Sequence, residues 1–135
     1  MRAIPIHFFA ILAAAVAKMV LGALWYSPVL FVKPWQRLTG ITEEQMKAGL
    51  GKALVADIIG SFAMAFVLAH FIRYAEATTV LQGLIIGFFC WLGFVSVATI
   101  NTVTYERKPV ALFLLNNGYL LISLLVMGAI LAVWG

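Results

Sequence analysis

The stretch Ala10–Trp35, AILAAAVAKMVLGALWYSPVLFVKPW, decides how this chain must fold. It is an apolar run of membrane length, interrupted early by one cation, Lys18. An ammonium near the centre of a membrane helix costs about 2.5–3.5 kcal/mol even on the gentler insertion scales. Some other helix must therefore turn a counter-charge or polar group toward Lys18. The run then meets Gly22-Ala23-Leu24-Trp25-Tyr26-Ser27-Pro28, where aromatic residues precede a helix-breaking proline. Pro28 and Pro34 forbid simple continuation, so the first span reads as residues 4–26. Trp25, Tyr26 and Trp35 suit an interfacial aromatic belt, as does Trp134 at the far end of the chain.

Outward from this stretch, three more segments are long and apolar enough to cross a bilayer: residues 52–72, 77–104 and 110–133. The connections between the last three are only a few residues long, which makes successive helices antiparallel neighbours. Residues 33–51 form the one long loop. Within it Thr42, followed three residues later by Gln45, is a capping box, and Glu43 and Glu44 favour the positive end of a helix dipole. A helix is expected from Thr42, either running into the second span or breaking at Gly49 and Gly51. The whole chain, residues 1–135, reads as a single all-α domain, an up-down bundle of four transmembrane helices.

Composition agrees. Of 135 residues, 64% are hydrophobic and 10% charged, against roughly 25% charged in soluble domains. The net charge of +4 lies between the apolar runs, where lipid headgroups would be, rather than on a face that could bind nucleic acid. One cysteine, Cys90, allows no internal disulfide. Arg2, the apolar segment after it and Ala15-Val16-Ala17 imitate a cleavable signal peptide, but Pro5 and His7 interrupt the pattern and the apolar run resumes after Lys18. The segment is read as a retained helix.

Orientation follows from basic residues. Lys33, Arg37, Lys47, Lys52, Arg107 and Lys108 lie on one side, and Arg2 and Arg73 on the other. The positive-inside rule places the first group in the cytoplasm and both termini outside.

Counting 1.5 Å per residue puts Lys18 about 12 Å from the loop end of its span and Asp57 about 8 Å in from the same side. Asn116 and Asn117 lie at a similar depth after Pro109, with Asn101 nearer the boundary. Ala10, Ala14, Lys18 and Gly22 recur every fourth residue, giving the lysine a small-residue stripe for close helix contact. Ala53, Asp57, Gly60 and Ser61 share one face of the second span, and Asn116, Tyr119 and Ser123 one face of the fourth. The expectation is a Lys18–Asp57 pair whose remaining hydrogen bonds come from the asparagines. Such a layer serves helix register and assembly or an ion pathway, unless Lys18 instead snorkels towards the headgroups.

Weaker signals are His7 and His70, at similar depth near one side, as a titratable or metal-binding pair or as simple anchors. Gly83-Leu84-Ile85-Ile86-Gly87 is a GxxxG packing motif. The sequence carries no nucleophile elbow, phosphate loop or metal-ligand cluster, so no catalytic residue, metal or cofactor is expected and an enzyme is not indicated.

Gly22-Ala23-Leu24-Trp25-Tyr26-Ser27-Pro28, Phe31, Trp35, Glu106-Arg107-Lys108-Pro109 and Leu112-Phe113-Leu114-Leu115-Asn116-Asn117-Gly118-Tyr119 together give the chain a resemblance. It resembles the bacterial membrane-protein family catalogued as domain of unknown function 1761. The resemblance implies a small four-helix inner-membrane protein and brings no activity with it. The leading expectation is a structural or accessory subunit assembling with itself or a larger membrane complex; the alternative is an oligomeric small-solute or ion transporter or channel using the Lys-Asp-Asn polar layer.

Overall fold

The computed structural model describes residues 7–134, so the start of the expected first span, residues 4–6, and Arg2 lie outside the described residues. The fold is an all-α bundle of four long apolar helices: α1 (Phe8–Trp25), α4 (Leu50–Tyr74), a segmented third span (Val80–Thr104) and α8 (Val110–Trp134). Each meets the length and hydropathy needed to cross a membrane.

Helix ends follow local chemistry. His7 caps α1, its Nδ1 accepting from the Ala10 N–H at 3.1 Å. Between the first two spans lie α2 (Val32–Thr39) and α3 (Glu43–Ala48). Pro34 does not end a helix here. It sits in the first turn of α2, where its missing N–H has no intrahelical partner to lose. Gly40 closes α2 in the left-handed region, φ 74°, which favours glycine. Thr42 forms the expected capping box with Gln45 at the start of α3, and the helix breaks at Gly49 before α4 begins. Thr79 and Gln82 build a second capping box at the third span.

The third span is not one regular helix. It runs as α5 (Val80–Cys90), a π-helical turn (Trp91–Ser96), α6 (Val97–Thr99) and α7 (Asn101–Thr104). π-turns inside α-helices are rare and each inserts extra backbone into the ladder.

α8 is the central element and packs against α1, α4 and α5. The core sits in the half of the bundle nearest the termini: Ala10, Ala14 and Ala15 of α1, Ala65 to Ile72 of α4, and Leu124 to Ala132 of α8. Gly83 and Gly87, the expected GxxxG pair, let α5 lie directly on the backbone of α8 at Gly128 and Leu124. The half nearest the long loop is more open. From Leu50 to Gly60 every residue of α4 is exposed except Asp57.

Candidate functional site: a polar layer across four helices

Lys18 is buried on α1, on the stripe of Ala10, Ala14 and Ala15 that faces α4 and α8. An ammonium has three N–H donors, and each finds a destination. One reaches Asp57 Oδ1 at 3.2 Å and another Ser61 Oγ at 3.1 Å. The charge also lies over the face of Tyr119, 5.4 Å from the ring centre, a cation–π contact. Asp57 and Ser61 are four residues apart on α4, so a single face presents both acceptors. Ser61 in turn donates to Asp57 Oδ1 at 3.5 Å, which ties the three groups together.

The expected ion pair is present, but its supporting partner differs from the expectation. Ser61 and the Tyr119 ring complete the shell of Lys18, not the asparagines. Tyr119 also fixes the lysine's backbone, its hydroxyl donating to the Lys18 carbonyl at 3.1 Å. Gly22, one turn along α1, makes room for that hydroxyl, because a Cβ there would lie 2.8 Å from it.

The asparagines form separate clusters. Asn117 is buried, accepting from Trp91 Nε1 at 3.1 Å and donating through Nδ2 to Thr99 Oγ1 at 3.2 Å. It therefore bridges α8 to the third span. Asn116 accepts from the Tyr26 hydroxyl at 2.7 Å, while Trp25 Nε1 donates to the Leu115 carbonyl at 3.0 Å. These two aromatics, expected as interfacial anchors, turn inward and clamp the end of α1 onto α8. Asn101 is exposed and outside all three clusters, and its backbone carbonyl accepts from Tyr105 and Glu106. Trp35 is half-buried against Tyr26, and Trp134 is half-exposed with its ring 5.9 Å from His7.

The histidines do not form a pair. His7 caps α1, and His70 contacts the Phe66 carbonyl at 2.8 Å and the Phe66 ring.

The two ends of the ion pair differ in their surroundings. The Lys18 side chain is 7% exposed and that of Asp57 41%, so the cation is sealed in while its counter-ion opens outward. One turn beyond Tyr119, Ser123 is wholly buried, and its hydroxyl has no hydrogen-bond partner among the described residues.

With helix number, helix order and polar layer in place, one comparison is decisive. The family model described as "Protein of unknown function (DUF1761)" matches residues 9–132, nearly all of the chain. The chain belongs to the DUF1761 family. No curated protein and no solved structure matches it. In this DUF1761 chain the asparagine cluster yields a direct test. Asn117→Leu strands the Trp91 N–H in the bundle and is expected to cost about 1 kcal/mol, the scale of interhelical hydrogen bonds in membranes. Asn101→Leu is expected to change stability little. Thermal unfolding of both variants in detergent separates the two positions.

Proposed function

We propose that the protein is an oligomeric transporter or channel for a small ion or solute, a transport rather than a catalytic role. In this reading the Lys18–Asp57 pair is its charged intramembrane step. The observation that carries the proposal is the asymmetry of the pair: a sealed ammonium whose carboxylate partner is 41% exposed in the open half of the bundle. Enclosing the charges of a pair costs desolvation that only good geometry and further hydrogen bonds repay, and here only the cation is enclosed while the carboxylate stays accessible. The open side of Asp57 can be reached by a proton or a solute cation, and either weakens its hold on Lys18 and leaves the ammonium able to attract an anion. Ser61 keeps a hydrogen-bond partner for whichever group is released, and the Ser123 hydroxyl offers the next polar contact along α8. Intramembrane ionisable residues commonly mark such pathways. The positive-inside count orients the open half toward the cytoplasm, with both termini periplasmic in a bacterial inner membrane.

Flux through proteoliposomes tests this. Vesicles carrying the wild-type protein, loaded with a pH dye and given an anion gradient, are expected to equilibrate faster than empty vesicles. Lys18→Met is expected to remove the excess rate while keeping the helical circular-dichroism signal. Equal rates for wild-type and empty vesicles, across proton and small-anion gradients, would count against the proposal.

A structural or accessory role is favoured by one other observation. Ala53, Ala56, Gly60 and Ala63 lie exposed on α4, and a Cβ added at Gly60 would meet nothing within 4 Å. Small residues of this kind permit close helix association. Gly60→Leu should then dissociate the oligomer in mild detergent, read by size-exclusion chromatography with light scattering, and wild-type vesicles should carry no flux.

A further inference from the structure

A cavity lies apart from the ion pair, where the long loop meets the membrane spans. Its volume is about 610 Å³, within the range of ligand-binding sites. Tyr26, Trp35, Val32 and Leu50 form an apolar wall, with the two rings in edge contact at 6.2 Å. Lys33 and Lys47 stand on its lining as the cationic groups, with Glu43 the one acidic group there. A hydrogen bond from Gln36 Nε2 to Met46 Sδ, 3.2 Å long, ties α2 to α3 across it.

We propose that this cavity binds the headgroup and first acyl carbons of an anionic phospholipid. Three observations select that occupant. The cavity is placed at the ends of two membrane spans, between Tyr26 after α1 and Leu50 at the start of α4, and so lies at headgroup depth. Its apolar side continues into exposed Val29, Leu30 and Leu54, a surface that suits acyl chains rather than water. Its charge favours an anion: the lining holds Lys33 and Lys47 against Glu43, one net positive charge, within a segment (residues 33–52) that has four basic residues against Glu43 and Glu44. Lys47 is paired with Glu43 at 3.6 Å, but both side chains are 76% exposed, and a pair of that kind yields readily to a phosphate. Tyrosine and tryptophan suit this depth, since each offers an apolar body and a polar edge.

The test uses the purified full chain in nanodiscs of equal phosphatidylglycerol and phosphatidylcholine, with retained lipid counted by native mass spectrometry. Wild type is expected to retain phosphatidylglycerol preferentially. Lys33→Gln with Lys47→Gln should weaken that preference by about fivefold per lysine, the effect of one basic residue near an anionic surface. Glu43→Gln should strengthen it. A phosphatidylglycerol brominated on its acyl chain should quench tryptophan fluorescence, and Trp35→Phe should remove part of that quenching. Equal retention of the two lipids, or an unchanged preference in the double variant, would overturn the proposal. Full displacement of the lipid by millimolar glycerol phosphate would also overturn it, and would mark a site for a water-soluble anion.

Discussion

Asp57→Leu is expected to destabilise the bundle by about 3–5 kcal/mol, the cost of leaving a buried charge without its partner. The exposures of the two side chains make the effect one-sided. Lys18 is enclosed and keeps only Ser61 and the Tyr119 ring when the carboxylate is removed. Lys18→Met leaves a carboxylate that is already open on one side, so its cost should be clearly smaller. The double variant, Lys18→Met with Asp57→Leu, removes both charges and should recover most of what Asp57→Leu loses. Thermal unfolding of the four proteins in detergent forms a double-mutant cycle whose coupling term isolates the pair. A coupling near zero, with the double variant losing the sum of the two single losses, would show that the two residues do not depend on each other.

Gly83→Ala and Gly128→Ala, like Gly87→Ala, are expected to be among the most damaging small substitutions at the described residues. A Cβ at Gly83 would fall on the Gly128 carbonyl, and one at Gly128 on the Gly83 carbonyl. The obstacle is backbone on both sides, so no side chain can rotate away. The helices must separate, which places the cost at or beyond the upper end of the roughly 1–3 kcal/mol typical of overpacking. Separation also draws Leu124 and Met127, buried on α8, out of their contacts. Gly93→Ala, with nothing within 4 Å of its added Cβ, is the matched control and should be close to neutral. Comparing folded yield and melting temperature across the three variants distinguishes a backbone contact from a general intolerance of glycine replacement.

Much of this was legible in the residues themselves. Apolar runs of membrane length announce spans, and a lone cation within one demands a counter-ion. Asp57 was the only acidic residue within the four expected spans, so the Lys18–Asp57 pair could be anticipated. The asparagines could not be sorted the same way. A depth count places Asn101, Asn116 and Asn117 in neighbouring layers but says little about which side of its helix each one faces. Asn116 and Asn117 are adjacent, about 100° apart around α8, and they serve different neighbours, Tyr26 and Trp91. Ser61 carried no depth signal because a hydroxyl is tolerated in a membrane helix. Its spacing put it on the face of Asp57, but only the packing of α1 on α4 shows it accepting from Lys18. Trp25 and Tyr26 have the composition of a lipid-facing belt, and only tertiary packing turns them onto α8.

The π-turn of the third span acts as a phase corrector. Gly87 and Thr99 both meet α8, through Leu124 and Asn117 respectively. Twelve residues of regular α-helix at about 100° each would leave Thr99 roughly 120° away from the side occupied by Gly87. A π-turn advances only about 80° per residue, so six residues from Trp91 to Ser96 take back roughly 110° and return Thr99 to the α8 side. The inserted backbone thus behaves as one surplus residue absorbed without rotating the second half of the span. Asn101, counted on an uninterrupted wheel, is misplaced by that same angle, whereas the true winding decouples the azimuth of the loop-side half from that of the glycine seam.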